Sequence, residues 1–487
     1  MNKIYKIILL VLFLVVFLFR LNFSLSTPEN SFSDDTSYAN LRQADYVKEN
    51  LKPMIYDELS YSGRPVNNSP LFSYFLAAIS FIPWADKIIL QFFMSLLVIL
   101  AYLISKQIIN DERSALISAF MVGFVPLAIR ETLNKVSVYC IAFPLIFFMI
   151  YCILNLDKKT YFSLFLLSSL ILALLSPISI LVILFFIIYL VFSYAEDSEL
   201  NKNEIILILS FLIITLLTNL LIYKDSLLSY GISVLWNNLP SSLSVASFKQ
   251  INILSIMYHL GYIPLIFGFI TIYKGITKYK KKAIFLISSL LITNLILLSL
   301  KMINFYTALV FIGLSASILS ALTIYNFFKY LKLTKVAHWN KLLLSIFVIL
   351  LVLFSVYPSF TMAKNTASQV PSNIEIESLQ WIKQDSQDKN DIVIGTIYEG
   401  NLINYFSGKK NFFDTNFLLA PNPEKRMLDA GILFSSNSGE RTISKMKENN
   451  IKYIFLSEKV KKLYNIDSKK FDTDCFEKNL QVYKLVC

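Results

Sequence analysis

The sequence predicts a polytopic α-helical membrane protein of about eleven spans plus a re-entrant helix, with a C-terminal extracytoplasmic α/β domain. Three observations predict it. Of the 487 residues, 55% are hydrophobic and only 16% charged, and the mean hydropathy is +0.58. Apolar runs of about 20 residues, the length that crosses a bilayer as a helix, fill most of positions 1–358. After Pro358 the composition turns charged and patterned. In hydrocarbon only helices and closed barrels satisfy their own backbone polar groups, and these runs have helical rather than barrel-strand length.

The first run, 4–25, follows Lys3 and Lys6 and lacks a small-residue cleavage site, so it reads as a signal anchor with its N-terminus inside. Polar residues 26–69 follow on the outside. Residues 70–82 are apolar but too short to span, which suits a re-entrant or interfacial helix. Further spans fall at roughly 87–106, 114–129, 136–155, 160–176, 178–194, 204–223, 252–273, 283–300, 303–326 and 342–358. An odd count puts the N-terminus in the cytoplasm and the C-terminus outside. It also puts Lys274, Lys278, Lys280, Lys281 and Lys282 inside, with Lys329, Lys332, Lys335 and Lys341, as the positive-inside rule expects. Much of the net charge of +12 therefore serves topology and lipid headgroups, and a nucleic-acid partner is rejected.

Residues 1–358 form the predicted transmembrane catalytic domain, with 26–82 as its first outer loop. Beyond them, EIESLQWIKQ, GNLINYFSG, PEKRMLDAGILF and ERTISKMKENN are helix-like, whereas DIVIGT, KNFFDT, IKYIFLS and LQVYKLV are strand-like. Such alternation predicts an α/β domain over 359–487. The cysteines have no metal-ligand spacing. Cys140 and Cys152 fall in one apolar run. Cys475 and Cys487 lie in the terminal domain, where an extracytoplasmic compartment permits a disulfide.

The few polar outer loops locate the chemistry. After the first span comes Ser33-Asp34-Asp35-Thr36-Ser37-Tyr38, then Asn40, Arg42, Asp45 and Tyr46. Adjacent carboxylates at a membrane mouth suit a general base or a hard cation, Mg²⁺ or Mn²⁺, shared with substrate phosphate. Asp34 also suits an N-cap for the helix that follows. A second outer loop, Arg130-Glu131-Thr132-Leu133-Asn134-Lys135, adds another carboxylate. Arg42, Arg64, Arg130, Lys249 and Lys301 are the outer cations available to a phosphate, although Lys301 equally suits snorkelling to the interface. In the terminal domain Asp414, Asn416 and Arg426 suit acceptor contacts or, as readily, turns and a helix surface. His259, a couple of turns inside a span, suits a hydrogen-bonded packing role or a phosphate contact, and the packing role is the reading taken.

This pattern resembles the GT-C class of polyprenyl-phosphate-dependent glycosyltransferases, with many spans and an acidic motif in each of two outer loops. Asn68-Ser69-Pro70-Leu71-Phe72 is similar to that class's entry into a partly embedded helix. Tyr398-Glu399-Gly400-Asn401, then Ile403, Tyr405 and Asp414-Thr415-Asn416, resembles a degenerate form of the oligosaccharyltransferase catalytic-subunit motif. The tryptophan pair of that motif is replaced by Thr396-Ile397-Tyr398, and Ser244-Val245-Ala246-Ser247 lacks a corresponding glutamate.

The resemblance implies a polyprenyl-phosphate-linked sugar donor and a glycan, lipid or protein acceptor at the outer face of the plasma membrane. It implies Asp34 or Asp35 as the base, Asp35 and Glu131 around a metal ion where one is used, and Tyr398, Glu399, Asp414 and Asn416 near the acceptor. Oligosaccharyl transfer to protein asparagine is the narrower alternative. A lipid-linked glycan transporter or a scaffold is the non-enzymatic one, although transporters place ionisable groups near the midplane rather than at one mouth.

Overall fold

A computed structural model of the chain describes residues 3–196, 200–231, 252–334, 339–436, 439–466, 468–471 and 473–487. Among these, seven helices are long and apolar enough to cross a membrane: Lys3–Leu25, Ala85–Ile109, Ile178–Ala195, Lys202–Ile222, Lys282–Ser299, Phe305–Leu333 and Ser345–Ala367. Counting each of two bent pairs as one span raises the number to nine. Tyr139–Ile153 and Lys159–Leu175 are apolar but shorter. At 1.5 Å per residue a helix of 18 residues reaches about 27 Å, close to the hydrocarbon thickness. The chain is a multi-pass membrane protein.

Phe305–Leu333 is the axis of the bundle, with 94% of its most apolar window buried. Gly268, on the helix Tyr262–Lys274, crosses it so closely that a Cβ there would lie 2.8 Å from the Ala316 Cα. The helix Lys3–Leu25 instead turns Leu10 and Leu18 outward, each 57% exposed. An apolar skin of this kind suits lipid.

Two predicted spans are broken. Glu112–Gly123 and Pro126–Thr132 bend by 44°. Pro126, lacking an N–H, opens the second piece, and the Phe124 carbonyl at the break accepts from Ser359 Oγ at 2.8 Å. Leu254–Leu260 and Tyr262–Tyr279 bend by 90° at Gly261, whose φ of +91° favours glycine.

Contacts between loops sort the helix ends into two sets. At one end Arg113 Nε donates to the Tyr5 hydroxyl, Gln107 donates to Asn155, and Lys106 pairs with Glu112. The lysine block joins them there. Lys280 pairs with Glu196, Lys281 Nζ donates to the Ile108 carbonyl at 2.6 Å, and Lys282 pairs with buried Glu204. Three of the block's lysines thus brace the ends of neighbouring helices, beyond the topological role predicted for them.

The opposite end carries the C-terminal sheet. Pro70–Ile79 enters and leaves at this end: Ser69 Oγ lies 3.2 Å from the Tyr223 hydroxyl, and Trp84 N donates to Glu29. Strands β1 (Tyr56–Asp57) and β2 (Arg64–Pro65) pair antiparallel in the loop before it. The sheet comprises β3 (Ile392–Ile394), β4 (Lys410–Asn411), β5 (Ile451–Phe455), β6 (Phe476–Asn479) and β7 (Val482–Leu485), in the order β4-β3-β5-β7-β6. β3 runs parallel to β4 and β5, and β7 antiparallel to β5 and β6. A disulfide joins Cys475 to Cys487, with Cα atoms 5.0 Å apart, and ties the start of β6 to the chain after β7. The helix Glu458–Tyr464 and strand β6 had no counterpart in the sequence reading.

Candidate active site

The two adjacent aspartates have opposite environments. Asp34 stands at the N-cap position of the helix Asp35–Asn50 but makes no cap bond. Its oxygens instead accept the Thr36 and Ser37 hydroxyls, and the residue is half-buried. Asp35, one residue on, is buried. Its carboxyl accepts from Asn401 N at 3.2 Å, Asn401 Nδ2 at 2.7 Å and Leu402 N at 2.9 Å. It therefore satisfies the free N–H groups of the helix Gly400–Ser407, far away in sequence. Tyr38 extends this contact, with its ring 5.5 Å from that of Tyr405 and 5.6 Å from that of Phe406.

Burial pushes the Asp35 carboxyl up from its ordinary 3.8 to about 7, against the pull of the Leu402 N–H. Because the folded value is raised, the native state keeps this proton to a higher pH than the unfolded chain does. Its stabilising contribution is complete below about pH 4 and is lost as pH rises through 7. The thermal midpoint of the wild type, relative to that of Asp35→Asn, is expected to fall between pH 5 and pH 8. Paired melts across that range would refute this if the difference stayed flat.

The second acidic loop is bound to the first. Ser33 N donates to the Asn134 carbonyl at 3.0 Å, and Asn134 Nδ2 donates to Ser33 Oγ at 3.0 Å. Val136 N donates to Ser37 Oγ at 2.8 Å, and Asn40 Nδ2 donates to the Val136 carbonyl at 2.8 Å. Ser37, which holds Asp34, thus also holds the loop that carries Glu131. Glu131 lies between Arg130 at 3.7 Å and Lys135 at 3.9 Å. The Arg130 guanidinium sits 4.2 Å above the Tyr306 ring. These charges are half-buried, so they face a partly open mouth.

Beneath both loops the helix Ala85–Ile109 presents Lys87 and Gln91, one turn apart. Lys87 Nζ donates to Thr27 Oγ1 at 2.7 Å and to the carbonyls of Pro28 at 2.6 Å, Ser31 at 3.1 Å, and Ser24 and Thr27 at 3.4 Å. Gln91 Nε2 donates to the Thr132 carbonyl at 2.9 Å and accepts from Arg20 Nε at 2.9 Å, while Arg20 also donates to Thr132 Oγ1. Sequence reasoning missed Arg20, Lys87, Gln91 and Asn134. The available signal was a cation inside or at the lip of an apolar run.

The remaining predicted residues lie elsewhere. Arg42 is paired with Asp57. Burial opposes charge on Asp57, but Arg42 and two backbone N–H groups outweigh it and hold that carboxyl below its ordinary range. Arg64 is buried, donating Nε to Ser60 Oγ at 2.6 Å and Nη1 to the Leu418 carbonyl at 2.7 Å. Asp414 accepts from Ser60 Oγ at 2.6 Å, Asn411 Nδ2 at 3.0 Å and Asn416 N at 2.8 Å. Together they clamp the hairpin loop 57–64 onto the C-terminal sheet. Arg426 joins them, over the rings of Tyr61 and Phe412. Glu399 is buried and accepts from Thr396 N and Oγ1, whereas Tyr398 is exposed. Gly400 is required there, since a Cβ would lie 2.3 Å from the Phe413 carbonyl oxygen. Lys301 is exposed, in the turn before Phe305–Leu333. Lys249, like Ser244–Ser247, lies outside the described residues.

No protein-family model matches the sequence, and no curated protein does. Solved structures do match. The oligosaccharyltransferase AglB of Archaeoglobus fulgidus, solved with an inhibitory peptide and a dolichol-phosphate, superposes with a TM-score of 0.63 at 14% identity, over 93% of this chain and 70% of its own. ArnT of Cupriavidus metallidurans, bound to undecaprenyl phosphate, superposes with a TM-score of 0.56 at 10% identity, over 100% of this chain and 98% of its own. The chain has the GT-C fold. A further structure of the Archaeoglobus fulgidus enzyme, with zinc and sulfate, matches at a TM-score of 0.60 and 13% identity, over 91% of this chain and 67% of its own. Among the described residues of this GT-C fold, no three His, Cys, Asp or Glu gather as a ready metal cage. Asp35, expected with Glu131 around a metal ion, is instead taken up by Asn401 and Leu402.

Proposed function

We propose that this chain is a membrane glycosyltransferase moving a sugar or glycan from a polyprenyl-phosphate-linked donor to an acceptor on the extracytoplasmic face of the plasma membrane. The observation that carries the reading is the seam at the sheet end, where the loops of Asp34 and Glu131 are hydrogen-bonded into one unit. Two fold neighbours, solved with dolichol-phosphate and with undecaprenyl phosphate, support a lipid-linked donor. Nine candidate spans and the two shorter apolar helices Tyr139–Ile153 and Lys159–Leu175 among the described residues support about eleven crossings. The lysine block at the end away from the sheet supports a cytoplasmic N-terminus. The extracytoplasmic domain expected from 359 would begin only after the last span ends at Ala367. The Cys475–Cys487 disulfide agrees with an oxidising side.

In the reaction an acceptor hydroxyl or amide attacks the anomeric carbon of the donor. The bond from that carbon to the phosphate oxygen breaks, and the polyprenyl phosphate or diphosphate leaves with the electron pair. Asp34 takes the acceptor's proton. Arg130, over the Tyr306 ring, meets the charge that grows on the leaving phosphate, with Lys301 at the neighbouring turn as a second cation. A divalent ion, where bound, adds charge neutralisation, and Asp34 with Glu131 would hold it.

Oligosaccharyl transfer to protein asparagine is the narrower alternative. Two features weigh against it. Glu399 and Asp414 are engaged in a cap and a clamp, and the match to ArnT runs nearly the full length of both chains.

The test is transfer from radiolabelled polyprenyl-phosphate donors in membranes carrying wild type or Glu131→Gln, with and without chelator. Transfer is expected from wild type, falling at least about tenfold with Glu131→Gln or with chelator, in line with disrupted metal support. If no donor supports transfer, the transporter or scaffold readings replace this one. If transfer ignores chelator, the chemistry runs on Asp34 and Arg130 without a metal.

A further inference from the structure

Lys87 is buried, 2% exposed, and its ammonium is surrounded by neutral oxygens. All five come from Ser24, Thr27, Pro28 and Ser31, the segment leading into Asp34. The rings of Phe32 and Trp84 close over it at 5.1 and 5.2 Å. No carboxylate lies within ion-pair distance of it among the described residues. An ammonium withdrawn from water with no carboxylate in contact relies on several oriented dipoles to replace its hydration, with the charges of Asp86 and Glu29 acting only at longer range. Here those dipoles belong to a turn that gains its shape by gathering around the charge.

Two oxygens of this nest are shared with the second loop. Thr27 Oγ1, which accepts from Lys87, donates to Asn134 Oδ1 at 3.1 Å. The Ser31 carbonyl accepts from both Lys87 and Asn134 Nδ2, the latter at 3.3 Å. One turn along the same helix, Gln91 holds the Thr132 carbonyl, next to Glu131. A single rigid helix face therefore grips the approach to each acidic residue, Asp34 through Lys87 and Glu131 through Gln91.

We propose that Lys87 is a positioning residue: it acts as an internal cation that winds the turn 24–31 and sets the register of the Asp34 loop against the Glu131 loop. The catalytic consequence rests on the glycosyltransferase reading above, whereas the conformational one does not. Lys87 touches neither donor nor acceptor. Its loss should lower kcat and leave the donor KM nearly unchanged, because the reacting groups are misaligned rather than the donor unbound.

The experiment is hydrogen-exchange mass spectrometry on the full-length protein in detergent, comparing wild type, Lys87→Met, Lys87→Arg and Lys87→Ala. In Lys87→Met the Ser33 and Val136 amides, which stitch the two loops, are expected to exchange at least tenfold faster. Amides of β3 and β5 should stay as slow as in wild type. Lys87→Arg should restore slow exchange, and millimolar ethylammonium should slow it again in Lys87→Ala by refilling the nest. Thr27→Val, which removes one nest oxygen and the link to Asn134, replaces Lys87→Met if that variant does not fold, with the same acceleration expected.

Unchanged exchange at Ser33 and Val136, or equal acceleration of the sheet, overturns the positioning role. A donor assay on the same variants separates the two claims. If exchange accelerates and wild type transfers sugar, kcat is expected to fall at least tenfold in Lys87→Met with KM within threefold. If exchange accelerates but wild type shows no transfer, the glycosyltransferase reading fails while the positioning of the loops stands.

Discussion

Replacing Asp34 by asparagine is expected to lower sugar transfer by about 10²- to 10⁴-fold, the span typical of removing a general base. The carboxylate is held by the Thr36 and Ser37 hydroxyls rather than by backbone N–H groups. Asparagine keeps an acceptor oxygen for one of those hydroxyls but has no oxygen that can take a proton. The folded structure should hardly notice, because Asp34 is half-buried and no salt bridge among the described residues depends on it. With chelator present, donor KM should stay near wild type, since the charges then proposed to meet phosphate belong to Arg130 and Lys301 and not to an ion held by Asp34. Steady-state transfer and a thermal melt on the same preparation check both halves. Unimpaired turnover in Asp34→Asn would remove the base from this site and, with it, the main chemical reason for the paired loops.

Asp35 provides the contrast. The sequence offered either aspartate as the base, gave Asp34 alone an N-cap role and put Asp35 alone beside a metal, and nothing local decided among these. The separation comes from a chain crossing: Asn401 and Leu402 bring the start of a helix down onto Asp35, while Ser37 brings Val136 alongside Asp34. Both partners are remote in sequence, so neither could be read from spacing.

The spans were legible for the opposite reason. In hydrocarbon each helix must satisfy its own backbone, so a long apolar run reports its structure without reference to partners. The bends at Phe124 and Gly261 were less legible, because they depend on what fills the gap, such as Ser359 beneath Phe124. Lys87 and Arg20 were overlooked because cations at the edge of a span ordinarily snorkel to water. Here both turn inward onto protein oxygens.

The clamp between the hairpin loop and the sheet should fail when Asp414 or Arg64 is removed. Asp414 is fully buried and accepts from Ser60, Asn411 and Asn416. Asp414→Ala leaves two buried donors, Ser60 and Asn411, and the half-buried Asn416 N–H without an acceptor, at about 1–3 kcal/mol for each group that water cannot reach. Arg64→Met takes the donor away from the Leu418 carbonyl and from the Ser60 oxygen, although the Ser60 hydroxyl still donates to Asp414. The sequence offers Arg64 to a phosphate, and Asp414 to an acceptor or to a turn. The two roles predict different kinetics. A phosphate or acceptor ligand changes KM in a protein of unchanged stability. A clamp lowers the melting temperature and exposes the connection at 367–372 to protease, and it reduces activity only as far as the C-terminal layer lifts away. Limited proteolysis and donor and acceptor KM values, measured together on Asp414→Ala and Arg64→Met, distinguish them. The clamp predicts faster cleavage of both variants, with residual activity at low temperature showing near-normal KM. A raised donor KM in Arg64→Met with unaltered proteolysis would instead return that guanidinium to the phosphate, and would require the loop 57–64 to open during turnover.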